Sequence, residues 1–191
     1  MRGLWALAAS FLTPLALAEP LTVQVSNAQG QPLAGAVVAV EGDALPTRAR
    51  PGTQAELAQK DRQFRPQLLV VQTGTEVRFP NEDPVRHHVY SYSAAKSFEL
   101  KLYLGEPASP VLFDKAGVVA VGCNIHDRMS AHIVVVDTPL FAVTDAQGRA
   151  QLELPAKAGS LRLRAWHPSR KEPALSSENL PPGRTQWSLR L

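Results

Sequence analysis

From Leu21 onward the chain is a succession of short segments in which apolar and polar residues alternate, each closed by Gly, Pro, Asn or Asp. In "LTVQVSNAQG", Leu21, Val23 and Val25 share one face, and Asn27-Ala28-Gln29-Gly30 turns the chain. Ala36 to Val40 is a short β-rich run, and "DALPTRARPG" has the composition of a loop. "PQLLVVQTGTEVRFPN" reads as two strands around Thr73-Gly74, and "PVLFDKAGVVAVGC" as two around Lys115-Ala116-Gly117. "HHVYSYS", "FELKLYL", "AHIVVV", "VTDAQGRAQLELP", "GSLRLRAWHPS" and "TQWSLRL" continue the pattern. Short strands with regular turn signals mean an all-β sandwich and not a parallel α/β sheet. No sustained 3.6-residue apolar period occurs, although Ala55 to Arg62 has helix-forming residues and stays open between helix and strand. The expected fold class is all-β.

The N-terminus, "MRGLWALAASFLTPLALAEP", sets one Arg before an apolar run that ends in Ala16-Leu17-Ala18. That is the form of a secretory signal peptide over residues 1–18, cleaved after Ala18. The run is short for a membrane span, which needs roughly 20 apolar residues. The expected location is therefore periplasmic, with no span left after cleavage. A hydrophobic content of 45% is enough for a core without disulfides. The net charge of +3, with no cluster of Lys and Arg among aromatics, leaves no nucleic-acid footprint.

One cysteine in an exported chain cannot form an internal bridge, and an exposed thiol there is open to oxidation. Such a cysteine is a buried inert thiol, an intermolecular link or a metal ligand, and the oxidation hazard weighs toward burial or metal. Cys123 lies in "VGCNIHDRMSAHIVVV" with His126 and Met129, in the spacing C-x2-H-x2-M between two strand-like runs. A tight loop there aims a thiolate, an imidazole and a thioether at one point. That soft set suits copper better than magnesium or calcium. Structural zinc prefers four strong ligands, and a thioether is a poor one. A Cys–His nucleophilic pair lacks an evident orienting carboxylate, although Asp127 adjoins. A further ligand has to come from elsewhere, and "FPNEDPVRHHVYSYS" offers His87 and His88. Adjacent strand residues face opposite ways, so one of the two can face the metal, and alternation does not say which.

The segments "LVVQTGTEVRFPNEDPVRHHVYSYS" and "FDKAGVVAVGCNIHDRMSAHIVVVD" resemble the cupredoxin, or blue-copper, family of the plastocyanin and amicyanin kind. They carry its V-x-F-x-N strand, its His-led strand and its C-x-x-H loop with Met behind, and are similar to exported proteins labelled methylamine utilisation protein. The resemblance implies one copper ion held by His87, Cys123, His126 and Met129. It places His88 where many cupredoxins have a bracing Asn, and it makes His126 the electron port, ringed by Arg86, Asp127 and Arg128. The flanking "VSNAQGQPLAGAVVAV" and "TDAQGRAQLELPAKAGSLRLRAWHP" resemble transthyretin-like or carboxypeptidase regulatory-like modules.

Together these resemblances imply a Greek-key cupredoxin sandwich over residues 55–137. It is inserted in, or joined to, a small transthyretin-like β-sandwich formed by residues 19–54 and 138–191. The implied function is single-electron transfer without catalysis, with a periplasmic c-type cytochrome or a dehydrogenase as partner. Two rivals are a periplasmic Cu(I) carrier and an interaction module whose metal is structural or absent. His132 is expected to be a solvated surface residue, and His167 to be structural or exposed. Tyr90, Tyr92 and Phe98 are expected to serve packing.

Overall fold

The computed structural model describes residues 19–107, 109–155 and 159–191. The expected signal peptide lies outside the described residues. Every regular element among the described residues is a strand. The chain opens with β1 (Glu19–Ser26) and β2 (Val37–Gly42). There follow β3 (Gln54–Glu56), β4 (Ala58–Lys60), β5 (Gln63–Arg65), β6 (Leu68–Gln72) and β7 (Thr75–Arg78). Next come β8 (His87–Tyr92), β9 (Ser97–Tyr103), β10 (Val111–Phe113), β11 (Gly117–Cys123) and β12 (Ser130–Val136). The last five are β13 (Phe141–Val143), β14 (Arg149–Leu154), β15 (Leu161–Trp166), β16 (Ser176–Leu180) and β17 (Gln186–Arg190).

The two ends of the chain build one sandwich. Its sheets run β14-β1-β17 and β13-β2-β15-β16. Their facing sides bury Leu21, Val23, Val25 and Leu189 against Val38, Val40 and Leu163. Two turns of like sequence stand at its edge. Asn27 accepts the amides of Gln29 and Gln31, and Asp145 those of Gln147 and Arg149. Both are turns in which a short polar side chain takes over backbone donors. The second needs its glycine, because Gly148 has φ +71° and a Cβ there would stand 2.5 Å from the Val25 carbonyl oxygen.

The middle strands build a second sandwich from the sheets β6-β12-β11-β8-β9 and β10-β7-β3, with the β4–β5 hairpin beside it. Leu57, Phe64, Val77, Phe79, Val89, Phe113, Val119 and Ile133 fill its interior. The two strands around Thr73-Gly74 do not pair with each other. β6 runs parallel to β12, whereas β7 pairs with β10 and β3. The same holds for β10 and β11. These short turns are corners that carry the chain from one sheet to the other. Over Ala55–Arg62 the strand reading holds and the helical one fails. β3 hydrogen-bonds along β7, and β4 turns back on β5 through Asp61 and Arg62, both with φ near the left-handed region (55° and 57°).

A third apolar cluster joins the two sandwiches. Val37, Ala39 and Trp166 on the outer face of one sheet pack against Val118, Val134 and Val136 on the outer face of the other. This explains why "AVVAV" and "IVVV" are continuous rather than alternating, since a strand buried on both faces has no polar side. Each valine enclosed there contributes about 1.5–3 kcal/mol relative to exposure. It also corrects the expectation for His132, which is not a solvated residue. It is half-buried, with its ring centroid 5.0 Å from that of Trp166.

Candidate metal centre

The centre lies at one end of the second sandwich, where β8 begins and β11 ends. Along β8, His87, Val89 and Ser91 point inward and are fully buried, while His88, Tyr90 and Tyr92 point outward. A register irregularity between His87 and Val89, opposite β9, re-aims the first residue of the strand. Cys123 is paired with Val89 across β11 and β8, so its side chain enters the same interior as His87. The following loop is tied tightly. The Cys123 amide donates to the Met129 carbonyl at 3.2 Å, and the Met129 amide donates to the His126 carbonyl at 2.9 Å. The Asn124 amide reaches the His88 carbonyl at 3.0 Å.

These constraints bring three donor groups together. The Cys123 Sγ stands 3.7 Å from His87 Nδ1 and 3.8 Å from His126 Nδ1. The ligating atoms of all three residues lie within 4.8 Å of one another. With metal–sulfur and metal–nitrogen bonds of about 2.3 and 2.0 Å, as in zinc sites, a ligand angle near 120° puts S and N about 3.7 Å apart. The donor set therefore fits one ion held in the trigonal His₂Cys manner. Cys123 and His87 are buried, and His126 is partly exposed. Met129 is buried in the same apolar cluster as Cys123, so its thioether lies in the interior beneath the loop.

His88 is on the other face. Its Nε2 lies 2.8 Å from Glu99 Oε1, and its ring meets Tyr90 edge-on at 6.3 Å. Tyr90 in turn packs over Gly122, where a Cβ would stand 3.2 Å from the phenol. Phe98 packs on Phe79 and Phe113 as expected. Tyr92 packs on Tyr90, with ring centroids 5.3 Å apart, at the surface of the same face. It is 79% exposed. His167 is far along the chain in the other sandwich, where it contacts Ser169 Oγ and the Ala34 carbonyl.

The sequence reading missed the groups that surround His87. Asp83 Oδ2 lies 2.8 Å from His87 Nε2. The same carboxylate accepts the Asp61 amide at 2.7 Å and the Arg62 amide at 2.9 Å. Burial pushes the Asp83 carboxyl up, but the Arg62 amide, His87 and the Asp61 amide outweigh it and hold the group below the ordinary carboxylate value. A carboxylate can only accept, so the His87 proton sits on Nε2 and the Nδ1 lone pair faces Cys123. Asn81 folds the loop between them. Its Nδ2 donates to the carbonyls of Val85 and Tyr103, and its Oδ1 accepts the Asp83 amide. Behind the site, Tyr103 donates to the Phe79 carbonyl at 2.7 Å and contacts Gln59. Burial pushes the Tyr103 phenol up to about 12, so it stays protonated.

No protein-family model matches the chain, and no curated protein matches it significantly. Solved structures are similar over about half of it. A purple cupredoxin from Nitrosopumilus maritimus is 20% identical over 44% of this chain and 98% of its own, with a TM-score of 0.37. A copper-containing nitrite reductase from Thermus scotoductus is 23% identical over 50% of this chain, with a TM-score of 0.42, and the match spans 25% of that enzyme. Amicyanin from Paracoccus versutus is 12% identical over 50% of this chain and 96% of its own, with a TM-score of 0.37.

Proposed function

We propose that the protein holds a single copper ion between His87 Nδ1, Cys123 Sγ and His126 Nδ1, with the Met129 thioether as a weak axial ligand, and carries single electrons. The observation that carries the reading is the approach of one thiol sulfur to two imidazole nitrogens at 3.7 and 3.8 Å. Copper bound by such a set supplies reversible one-electron chemistry. The chain's own residues supply rigidity. His87 is held from behind by Asp83, and Cys123 sits at the end of a paired strand. Met129 closes the loop by its backbone. Ligands that move little on gain or loss of an electron keep transfer fast.

His126 is the proposed port, since it is the one partly exposed member of the donor set. Around it Asn124, Ile125, Asp127 and Arg128 are exposed, and their mixed charge would select a partner by complementarity. The proposed partner is a periplasmic c-type cytochrome or a dehydrogenase that exchanges one electron per encounter. We place the protein in the periplasm on the form of residues 1–18, and read it as a carrier rather than an enzyme. Residues 55–137 form the proposed copper domain, and the flanking sandwich is the proposed transthyretin-like module.

The paired sulfur donors, Cys123 and Met129, also favour a second reading, a Cu(I) carrier. Colour separates the two. Titrating residues 19–191 with Cu(II) should give one equivalent bound, an intense Cys-to-copper charge-transfer band and the EPR signal of a blue site. A protein that takes up Cu(I) alone and stays colourless is a copper carrier. Absence of stoichiometric copper in either oxidation state would remove both readings.

A further inference from the structure

His87 is the most deeply placed of the three donor groups, and its ring is fixed from a direction opposite to Cys123. The fixing group, Asp83, is itself held at several points. Its backbone amide is on Asn81 Oδ1 at 3.0 Å, and Oδ1 takes the Asp61 amide while Oδ2 takes those of Arg62 and His87 Nε2–H. The two turn amides come from the two-residue loop of the β4–β5 hairpin, where Lys60 pairs with Gln63. Both loop residues have positive φ, and neither is glycine or asparagine. Such a conformation persists in ordinary side chains where surrounding contacts over-determine it. Here the over-determining contact is the Asp83 carboxylate, which two adjacent left-handed amides clasp.

We propose that Asp83, clasped by the turn of the β4–β5 hairpin, is a positioning residue that locks the tautomer and ring plane of His87, so that a hairpin bearing no metal ligand sets the geometry of the centre. The proposal rests on the reading of His87 as a ligand. In physical terms, the fixed acceptor behind Nε2 keeps the lone pair of Nδ1 aimed at the point shared with Cys123. An Asn at position 83 presents one acceptor oxygen and an NH₂ group that accepts nothing. With its oxygen in the Oδ1 place it loses both the Arg62 amide and the ring, and with its oxygen in the Oδ2 place it sets its NH₂ against the Asp61 amide and opens the clasp.

The test uses the protein from residue 19 in apo and copper-loaded forms. Asp83→Asn is nearly isosteric, and its thermal unfolding is recorded to confirm the fold. In the apo protein, nitrogen-15 NMR of the His87 ring should show one tautomer with a slowly exchanging Nε2 proton. In D83N it should show a mixture and fast exchange. On loading, D83N should bind copper about 10–100-fold more weakly. Its reduction potential should rise, because a negative charge behind the ligand favours the oxidised ion. Glu82→Gln removes a neighbouring carboxylate that is exposed and paired with Lys60, and it should change none of these. Equal ring exchange, affinity and potential in D83N and the unsubstituted protein would overturn the proposal. Should the unsubstituted protein take no copper while D83N still frees the apo ring, the copper reading fails and the clasp stands.

Discussion

His132 and Trp166 stack across the junction of the two sandwiches, with ring centroids 5.0 Å apart and planes inclined by 55°. His132 belongs to β12, three residues beyond Met129, and Trp166 ends β15. The contact therefore links the strand that leaves the ligand loop to the sandwich built from the chain ends. Trp166 is 2% exposed and its indole donates to the Glu172 carbonyl at 3.2 Å. Trp166→Ala should cost about 3–5 kcal/mol, the range for truncating a buried aromatic. Urea unfolding followed by far-UV circular dichroism measures it. A loss under 1 kcal/mol would mean that the junction is loosely packed.

The same contact makes stability depend on pH. Burial lowers the His132 imidazole below its ordinary 6.5, so in the folded protein it stays neutral where the unfolded chain has taken a proton. The unfolded state binds more protons in that window, and stability rises with pH through it. The contribution is complete above pH 6.5 and is lost as pH falls below it. His132→Phe keeps a ring on Trp166 and should flatten that part of the profile. Urea midpoints at pH 7.5 and 5.5 in both proteins test it, and equal slopes would refute the assignment.

Ligand substitutions should separate the two faces of β8. His87→Ala should abolish the visible band, and His88→Asn should keep it, since His88 is occupied by Glu99. The reverse pattern would reassign the first imidazole.

Cys123→Ser should lose the band entirely, because the charge transfer starts on sulfur. Met129→Gln should leave a coloured site at a lower potential. An unchanged potential would exclude Met129 as the axial group.

Gly148→Ala should destabilise the flanking sandwich alone. The position combines φ +71° with a Cβ contact of 2.5 Å to the Val25 carbonyl oxygen. A left-handed L-residue costs about 1–2 kcal/mol, before any clash. Thermal unfolding should show the loss while the visible band of the copper-loaded protein stays in place.

The all-β class was legible because alternation is local. Leu21, Val23 and Val25 need no partner to announce a buried face, and "NAQG" and "DAQG" announce their turns. The loop from Cys123 to Met129 was legible for the same reason, as its three chemistry-bearing residues lie within one turn. Pairing was less so. Thr73-Gly74 looks like a hairpin turn, but whether two strands pair or part depends on sheets assembled from distant segments. His132 looked solvated because nothing nearby shows that a tryptophan 34 positions later covers it. Asp83 was hidden in "NEDPVRHH" by an exposed acidic neighbour. Its role depends on two amides from Asp61 and Arg62, and backbone donors leave no trace in side-chain identity.

The pairing of β1 with β17, in which Val23 lies beside Trp187, also sets an order of events. Strands β3 to β12 close among themselves, whereas β1 finds its neighbours in β14 and β17 only after nearly all the chain is available. Long-range closures are the slow ones. During synthesis the half that carries His87, Cys123 and His126 can therefore assemble early while the first strand waits, and β17 acts as the clasp of a necklace, fastening β1 behind a cluster already in place.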